Sequence, residues 1–171
     1  MNPFDHLRSY VVTSLNPGDV RNHLQADHDR FLDAVDALSL ERSSDRRASK
    51  AATLRLALVI HSRAEEAVVY RALSALKTVP AAKAFADDAC IEHEVMEHLL
   101  DKLMNTRAST DEWKARMRVF SELLRHHFRE EESEMFALLG ANYDAARLET
   151  IGAQFLDTRD KLVMLEEAKA A

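Results

Sequence analysis

Two copies of the pattern His-x-x-x-Glu-Glu, at residues 61–66 and 127–132, constrain this chain more than any other feature. On an α-helix, side chains four residues apart lie on the same face, with Cβ atoms about 6 Å apart. Each copy therefore predicts a helix on which an imidazole and a carboxylate point the same way. Two such pairs can bind an ion between them.

The apolar residues around both copies indicate which helix face these pairs occupy. The apolar stripes, with steps of three and four, contain Leu54, Leu58, His61, Glu65, Val68, Ala72 and Leu76 in the first segment and Trp113, Met117, Phe120, Leu124, His127, Glu131, Met135 and Leu138 in the second. Both polar pairs thus interrupt a stripe that a helix buries. Burying carboxylates and imidazoles without partners is costly, so these groups must either pair with one another through altered protonation or bind a cation.

Composition predicts an all-α single domain. The chain has 171 residues, an apolar content of 47%, and only three Gly and three Pro. The net charge of −6, with acids and bases interleaved, argues against a nucleic-acid partner, and no apolar run approaches the roughly 18 residues of a membrane span. The N-terminus lacks the pattern of a signal peptide, and the lone Cys90 excludes an internal disulfide, so a cytoplasmic location is expected.

Caps and helix breakers predict the order of elements within one domain spanning residues 1–171. Residues 1–16 form a short arm expected to lie across the bundle, and the bundle core covers about residues 19–140. The predicted helices run from about 19 to 40, from a cap at Ser49 to about 78, from about 81 to 105, and from a cap at 109–111 to Gly140. Asn142 opens an extra C-terminal helix, about 142–168, whose Leu148, Ile151, Phe155, Leu162 and Leu165 are expected to pack on the outside.

The first and third predicted helices also carry polar residues within their apolar stripes. These stripes contain Leu24, His28, Phe31, Leu32, Val35 and Leu38 in the first helix and Phe85, Ala86, Ala89, His93, Met96, Glu97, Leu100 and Met104 in the third. From each of the four helices to the next, these polar stripe residues are separated in the sequence by about the length of one helix plus a turn. In an up-and-down four-helix bundle, this spacing brings all four sets to the same height in the core.

The candidate metal ligands are His28, His61, Glu65, His93, Glu97, His127 and Glu131. A lone buried His such as His28 is most often a core residue bonded to a carbonyl, but four such sets together favour a metal. The residues beside the stripes, His23, His98, His126, Glu66, Glu130 and Glu132, are expected to be solvated or to support the ligands from outside. Cys90 is expected to be a small core residue.

The order His, His-x-x-x-Glu, His, His-x-x-x-Glu over four helices resembles the hemerythrin-like HHE cation-binding domains. The resemblance covers about residues 19–140 and includes Ala26-Asp27-His28-Asp29 and the repeated Glu-Glu. It implies two iron ions with an oxo or hydroxo bridge. It further implies that Glu65 and Glu131 bridge the irons, that His28 and His61 serve one iron, and that His93 and His127 serve the other.

Two octahedral irons have about twelve ligand positions, so the implied centre stays open at about two of them, or at one if Glu97 also binds. Such a centre can bind dioxygen, peroxide or nitric oxide. Oxygen-carrying hemerythrins use His-x-x-x-His on the third helix and His-x4-Asp on the fourth, where this chain has Glu97 and Glu131. An anionic oxygen ligand favours ferric iron, and hence oxidation rather than storage of intact dioxygen.

Three function classes stay open at this point. They are a di-iron protein that binds or senses a small oxidant, a di-iron redox enzyme in oxidative or nitrosative stress or iron repair, and a metal-responsive interaction module. A ferritin-like carboxylate bundle would need Glu-x-x-His motifs, and the sequence contains none.

Overall fold

The computed structural model describes residues 18–170, and every regular element within that range is helical. Helix α1 is Val20–Leu40 and α3 is Pro80–Met104. Helix α2, residues 44–74, joins Ser44–Ala64, the π-helical segment Glu65–Tyr70 and Arg71–Ser74. Helix α4, residues 111–142, joins Asp111–Glu130, the π-helical segment Glu131–Met135 and Phe136–Asn142. Helix α5 is Ala145–Ala170. The all-α prediction is confirmed, and the predicted arm lies outside the described residues.

Side-chain caps set the start of three helices. The side chains of Asp19, Ser43 and Thr110 accept hydrogen bonds from backbone N–H groups in the first turns of α1, α2 and α4. The prediction that Ser49 caps the second helix is wrong, because Ser43 takes this role and α2 already includes residues 44–49. The connection between α1 and α2 therefore consists of residues 41–43 only.

The helices pack around one interior. Helix α1 contacts α2 and α4, and α3 also contacts α2 and α4, so consecutive helices are neighbours and α4 returns to α1. Helix α5 lies against α1, α2 and the π-helical segment Glu65–Tyr70. A Cβ atom at Gly152 would lie 2.2 Å from the carbonyl oxygen of Gly18, so the glycine permits the close approach of α5 to the chain entering α1.

The π-helical segments move the buried face of the chain by one residue. Val69 is buried where the stripe predicted Val68, and Leu139 is buried where it predicted Leu138. The reason is that a π turn includes one more residue than an α turn, which displaces later positions around the helix axis, although Ala72 and Met135 of the predicted stripes stay buried. Upstream of each segment the predicted face is the buried one.

The boundary between the fourth and fifth helices lies two to three residues later than predicted. Helix α4 continues through Gly140 to Asn142. The side chain of Arg21 lies over Gly140, and a Cβ atom at Gly140 would be 2.6 Å from Nη1 of Arg21. Helix α5 begins at Ala145, after Asp144, whose side chain accepts a hydrogen bond from the first turn.

The predicted apolar stripes of α5 and α3 are confirmed only in part. Leu148, Ile151 and Phe155 on α5 are buried, but Leu165 is 52% exposed, because the buried stripe continues through Arg159 and Val163 instead. On α3, Met104 is exposed and Leu103 takes its place in the core. Within the described residues, no helix is both long and apolar enough to cross a membrane.

Candidate metal centre

Four histidines and two glutamates from α1, α2, α3 and α4 meet in the interior of the protein. The buried residues are His28 on α1, His61 and Glu65 on α2, His93 on α3, and His127 and Glu131 on α4. The structure thus brings together six of the seven predicted ligands. Both glutamates are the first residues of the π-helical segments, and π turns are frequent at functional sites.

The two carboxylate oxygens of Glu65 face different histidines. Its Oε1 lies 3.2 Å from Nε2 of His61 and 3.8 Å from Nε2 of His28. Its Oε2 lies 3.6 Å from Nε2 of His93, which in turn is 3.0 Å from Nε2 of His127. Glu65 therefore stands between one pair of histidines from α1 and α2 and another from α3 and α4.

Glu131 also stands between the two pairs. Its Oε2 lies 3.3 Å from Nε2 of His28 and 3.5 Å from Nε2 of His127. Its Oε1 accepts a hydrogen bond of 2.5 Å from the hydroxyl of Tyr70. The ligand atoms form two overlapping donor groups, each within 4.8 Å: His28, His61 and Glu65, and Glu65, His93, His127 and Glu131.

Several inward-facing atoms of this cluster are buried without a hydrogen bond among the described residues. They are Nε2 of His28 and His61, both oxygens of Glu65 and Oε2 of Glu131. Buried polar atoms normally have such a partner, and leaving one unmade costs about 1–3 kcal/mol. Imidazole nitrogens and carboxylate oxygens that converge in this way fit a metal cation, and this mixed donor set suits iron.

A family model agrees with this geometry. The model of the hemerythrin HHE cation-binding domain matches residues 19–139, which is well over half of the chain. The chain belongs to this family. The resemblance predicted from the spacing of His and Glu is therefore confirmed. Comparison with curated proteins and with solved structures gave no match. The HHE match spans α1 to α4 nearly to the end of α4, and α5 follows it.

Each histidine of the HHE centre also contacts a carboxylate with its outer nitrogen. The Nδ1 contacts are His28 with Glu132 at 2.9 Å, His61 with Asp27 at 3.4 Å, His93 with Glu66 at 3.0 Å, and His127 with Glu92 at 2.7 Å. At the three contacts of 3.0 Å or less, the carboxylate holds the proton on Nδ1 and leaves the Nε2 lone pair pointing inward, as metal-binding histidines require. The 3.4 Å contact of His61 with Asp27 is an ion pair without a hydrogen bond.

Each outer carboxylate comes from the helix that precedes the histidine's own helix in the order of the bundle. Helix α1 supplies the carboxylate for the histidine of α2, α2 for that of α3, α3 for that of α4, and α4 for that of α1. Each of these acids directly neighbours a centre residue in the sequence. Glu66 and Glu132 were predicted to be solvated or to support the ligands from outside, whereas no such role was predicted for Asp27 and Glu92. Adjacency to a predicted ligand is the signal that would have found them.

Tyr70 was likewise missed as a residue of the centre. Its hydroxyl lies 3.3 Å from Nε2 of His93 in addition to its bond to Glu131. Burial, followed by the nearby charges of Glu131 and Glu65, raises the pKa of Tyr70 well above its usual value, so the side chain is a neutral hydrogen-bond donor. Tyr70 follows Glu65 by five residues, and only a π turn brings positions with that spacing onto one face.

Two sets of predicted residues lie outside the two buried donor groups. The carboxylate of Glu97, the seventh predicted ligand, forms an ion pair of 2.7 Å with Arg63 and belongs to neither donor group. On α4, His126 and Glu130 are both 49% exposed and lie 3.4 Å from each other on the outer face. The helix therefore presents His127 and Glu131 to the interior.

Without metal, the charges of the centre compensate one another. Burial alone would lower the pKa of His61, but Glu65 and Asp27 outweigh it and raise the pKa to about 9. Burial likewise opposes protonation of His28, but Glu131, Glu132 and Glu65 raise its pKa well above the usual value. The pKa of Glu65 is lowered well below its usual value, since His61 and His28 outweigh burial. A cation that binds here must displace protons from these histidines.

Glu132→Ala is expected to weaken metal binding by about 10-fold to 100-fold, because it removes the carboxylate that orients His28. Glu134→Ala is the matched control, since Glu134 is an exposed glutamate on the same helix. Titration against a chelator of known affinity measures both variants. Equal affinities in the two would show that the outer carboxylate does not support the metal.

Proposed function

We propose that this HHE domain is an up-and-down four-helix bundle that holds two iron ions bridged by Glu65 and Glu131, and that the centre binds or reacts with dioxygen, peroxide or nitric oxide. The observation that supports this best is the position of Glu65, whose two oxygens face different pairs of histidines. A single ion would not require a carboxylate with one oxygen toward each pair.

The donor set leaves room for a small ligand. Four imidazoles and two carboxylates supply at most eight donor atoms, whereas two octahedral irons have about twelve positions. Glu97 would add another donor, but its carboxylate is paired with Arg63. The centre is therefore of the open type, which supports binding and chemistry, rather than the closed type of a structural metal site.

A small cavity beside the histidines has the size for such a ligand. Its volume is about 20 Å³, and a single water molecule needs about 10–15 Å³. The lining includes His61, His93 and His127, and apolar side chains such as Met96 and Phe120. Ser62, Glu66 and Glu97 add polar atoms. This space is large enough for a water-sized ligand such as a diatomic molecule.

The surrounding side chains hold the histidines and exclude water. The ring of Phe128 stacks on His28 with centroids 3.9 Å apart, and Phe31 and Phe155 meet the ring of His61 edge-on. Tyr70 holds one oxygen of Glu131 by donating its hydroxyl proton. Bound iron would supply the redox chemistry, and the protein would supply a fixed, dry donor set.

A redox enzyme acting on peroxide or nitric oxide is the second candidate. Anionic carboxylates make up a large share of this donor set, and hard oxygen ligands favour ferric iron. That preference opposes reversible storage of dioxygen, which requires the ferrous state to be regained.

Anaerobic reduction followed by additions of dioxygen, peroxide and nitric oxide, monitored by optical spectroscopy, tests the proposal. A stable adduct that is reversed by removing the gas indicates binding, and repeated consumption of the oxidant indicates an enzyme. A reduced, iron-loaded protein whose spectrum changes with none of the three would contradict both candidates.

A further inference from the structure

Helix α5 lies wholly beyond the matched HHE region, yet it contributes two buried side chains next to the centre. Phe155 is fully buried, and its ring meets His61 edge-on at a centroid distance of 5.9 Å. Arg159, one turn later, is buried as well, and its guanidinium lies 5.6 Å from the centroid of the Phe155 ring. A buried arginine is rare and normally has a specific partner.

One partner of Arg159 is Asp27. Nη1 of Arg159 lies 2.9 Å from Oδ2 of Asp27, and both side chains are 3% exposed. The same Oδ2 lies 3.4 Å from Nδ1 of His61, whose Nε2 faces Glu65. Arg30 binds the other oxygen, Oδ1, at 2.6 Å. Two arginines thus hold the carboxylate by different oxygens, and the carboxylate lies within ion-pair distance of the imidazole.

Asp27 differs from the other three outer carboxylates in its burial. Glu66, Glu92 and Glu132 are 23%, 27% and 29% exposed, so water can solvate their charge. Asp27, at 3%, has almost no such access. A buried carboxylate stays charged only when cations and hydrogen bonds replace the lost water. His61 is therefore the histidine whose orientation depends most on a second buried charge.

We propose that Arg159 is a positioning residue of the metal centre, acting through Asp27 to fix the ring of His61. The inference rests on the proposed metal-binding function and extends the centre to a helix outside the matched region. Without Arg159, Asp27 would keep Arg30 but lose its buried cation and would be drawn toward solvent. The ring of His61 would then lose its fixed orientation toward Glu65.

Arg159→Met is expected to weaken the binding of one of the two metal ions by at least 10-fold and to leave the binding of the other unchanged. The reason is that only the group of His28, His61 and Glu65 contains the affected ring. Asp27→Asn should give a similar loss. The double variant should lose little more than either single variant, because the two residues act in series. Arg159→Lys keeps a cation but not the planar fork, so its affinity should be intermediate.

Lys161→Met is the matched control, since Lys161 is 72% exposed on the same helix and pairs with the exposed Asp157. Stepwise titration against a chelator gives the affinity of each ion. Unchanged metal affinities in Arg159→Met would overturn the inference. So would an equal loss of affinity for both ions in Arg159→Met if Arg159→Lys showed the same loss. The lysine variant also keeps the test valid if the methionine variant does not fold.

A second readout needs no metal and separates this inference from the proposed function. In the metal-free protein, the Nδ1 proton of His61 should give a nuclear magnetic resonance signal that exchanges slowly with solvent, because the ring is buried and Oδ2 of Asp27 lies 3.4 Å from Nδ1. The signal should shift or exchange faster in Arg159→Met but not in Lys161→Met. A wild-type protein that binds only one ion would contradict the di-iron proposal alone. An unchanged His61 signal in Arg159→Met would contradict the role of Arg159 alone.

Discussion

His127→Ala and Glu131→Ala are each expected to lose at least one iron and the optical absorption that accompanies it. Each substitution removes a buried donor from the group of Glu65, His93, His127 and Glu131. Loss of Glu131 should have the larger effect, because its Oε2 faces histidines of both pairs and its other oxygen receives Tyr70. Iron content per chain, measured after purification with sufficient iron, checks the result.

His126→Ala and Glu130→Ala are the matched controls for this prediction. These residues directly precede His127 and Glu131 and differ from them by about 100° around the helix. Both are 49% exposed, so each variant should keep both irons with at most a modest change in affinity. Iron loss in the His126 variant, with retention in the His127 variant, would show that α4 is rotated by one residue from the orientation described above.

Iron loading is expected to raise the melting temperature by about 8–16 °C per ion. At a free metal concentration about 1,000 times Kd, binding contributes about 4 kcal/mol. Each kcal/mol shifts the melting temperature of a chain of this size by about 2–4 °C. The metal-free interior must otherwise accommodate four imidazoles and two carboxylates with several buried atoms unbonded among the described residues.

Differential scanning calorimetry of the metal-free and iron-loaded proteins measures this shift. His126→Ala should show the same increase as wild type, whereas Glu131→Ala should show a smaller one. Identical melting temperatures of the metal-free and iron-loaded wild-type protein would mean that iron does not bind to the folded interior.

The sequence predicted the helical class and the interior position of the histidines because both follow from local rules. Imidazoles in an apolar stripe, such as His61 and His127, must face the core wherever the helix is regular. The prediction failed just beyond each glutamate, where the π-helical segments displace the stripe from Val68 to Val69 and from Leu138 to Leu139. Apolar periodicity contains no sign of a π turn, so Tyr70 was not recognised as part of the centre.

The contributions of the outer residues depend on tertiary packing, which the stripe rules do not describe. Asp27 and Arg159 are far apart in the chain and charged, and charged residues are expected at the surface. Their burial becomes evident only when α5 is placed against α1 and α2. Glu97 occupies a predicted stripe position, but its partner Arg63 on the neighbouring helix draws its carboxylate away from the donor groups.

The number of irons per chain tests the central claim most directly. Elemental analysis combined with Mössbauer spectroscopy should give two irons per chain, with magnetic coupling between them, because Glu65 has one oxygen toward each pair of histidines. One metal ion per chain after loading with sufficient iron, or two irons without magnetic coupling, would contradict the bridged centre.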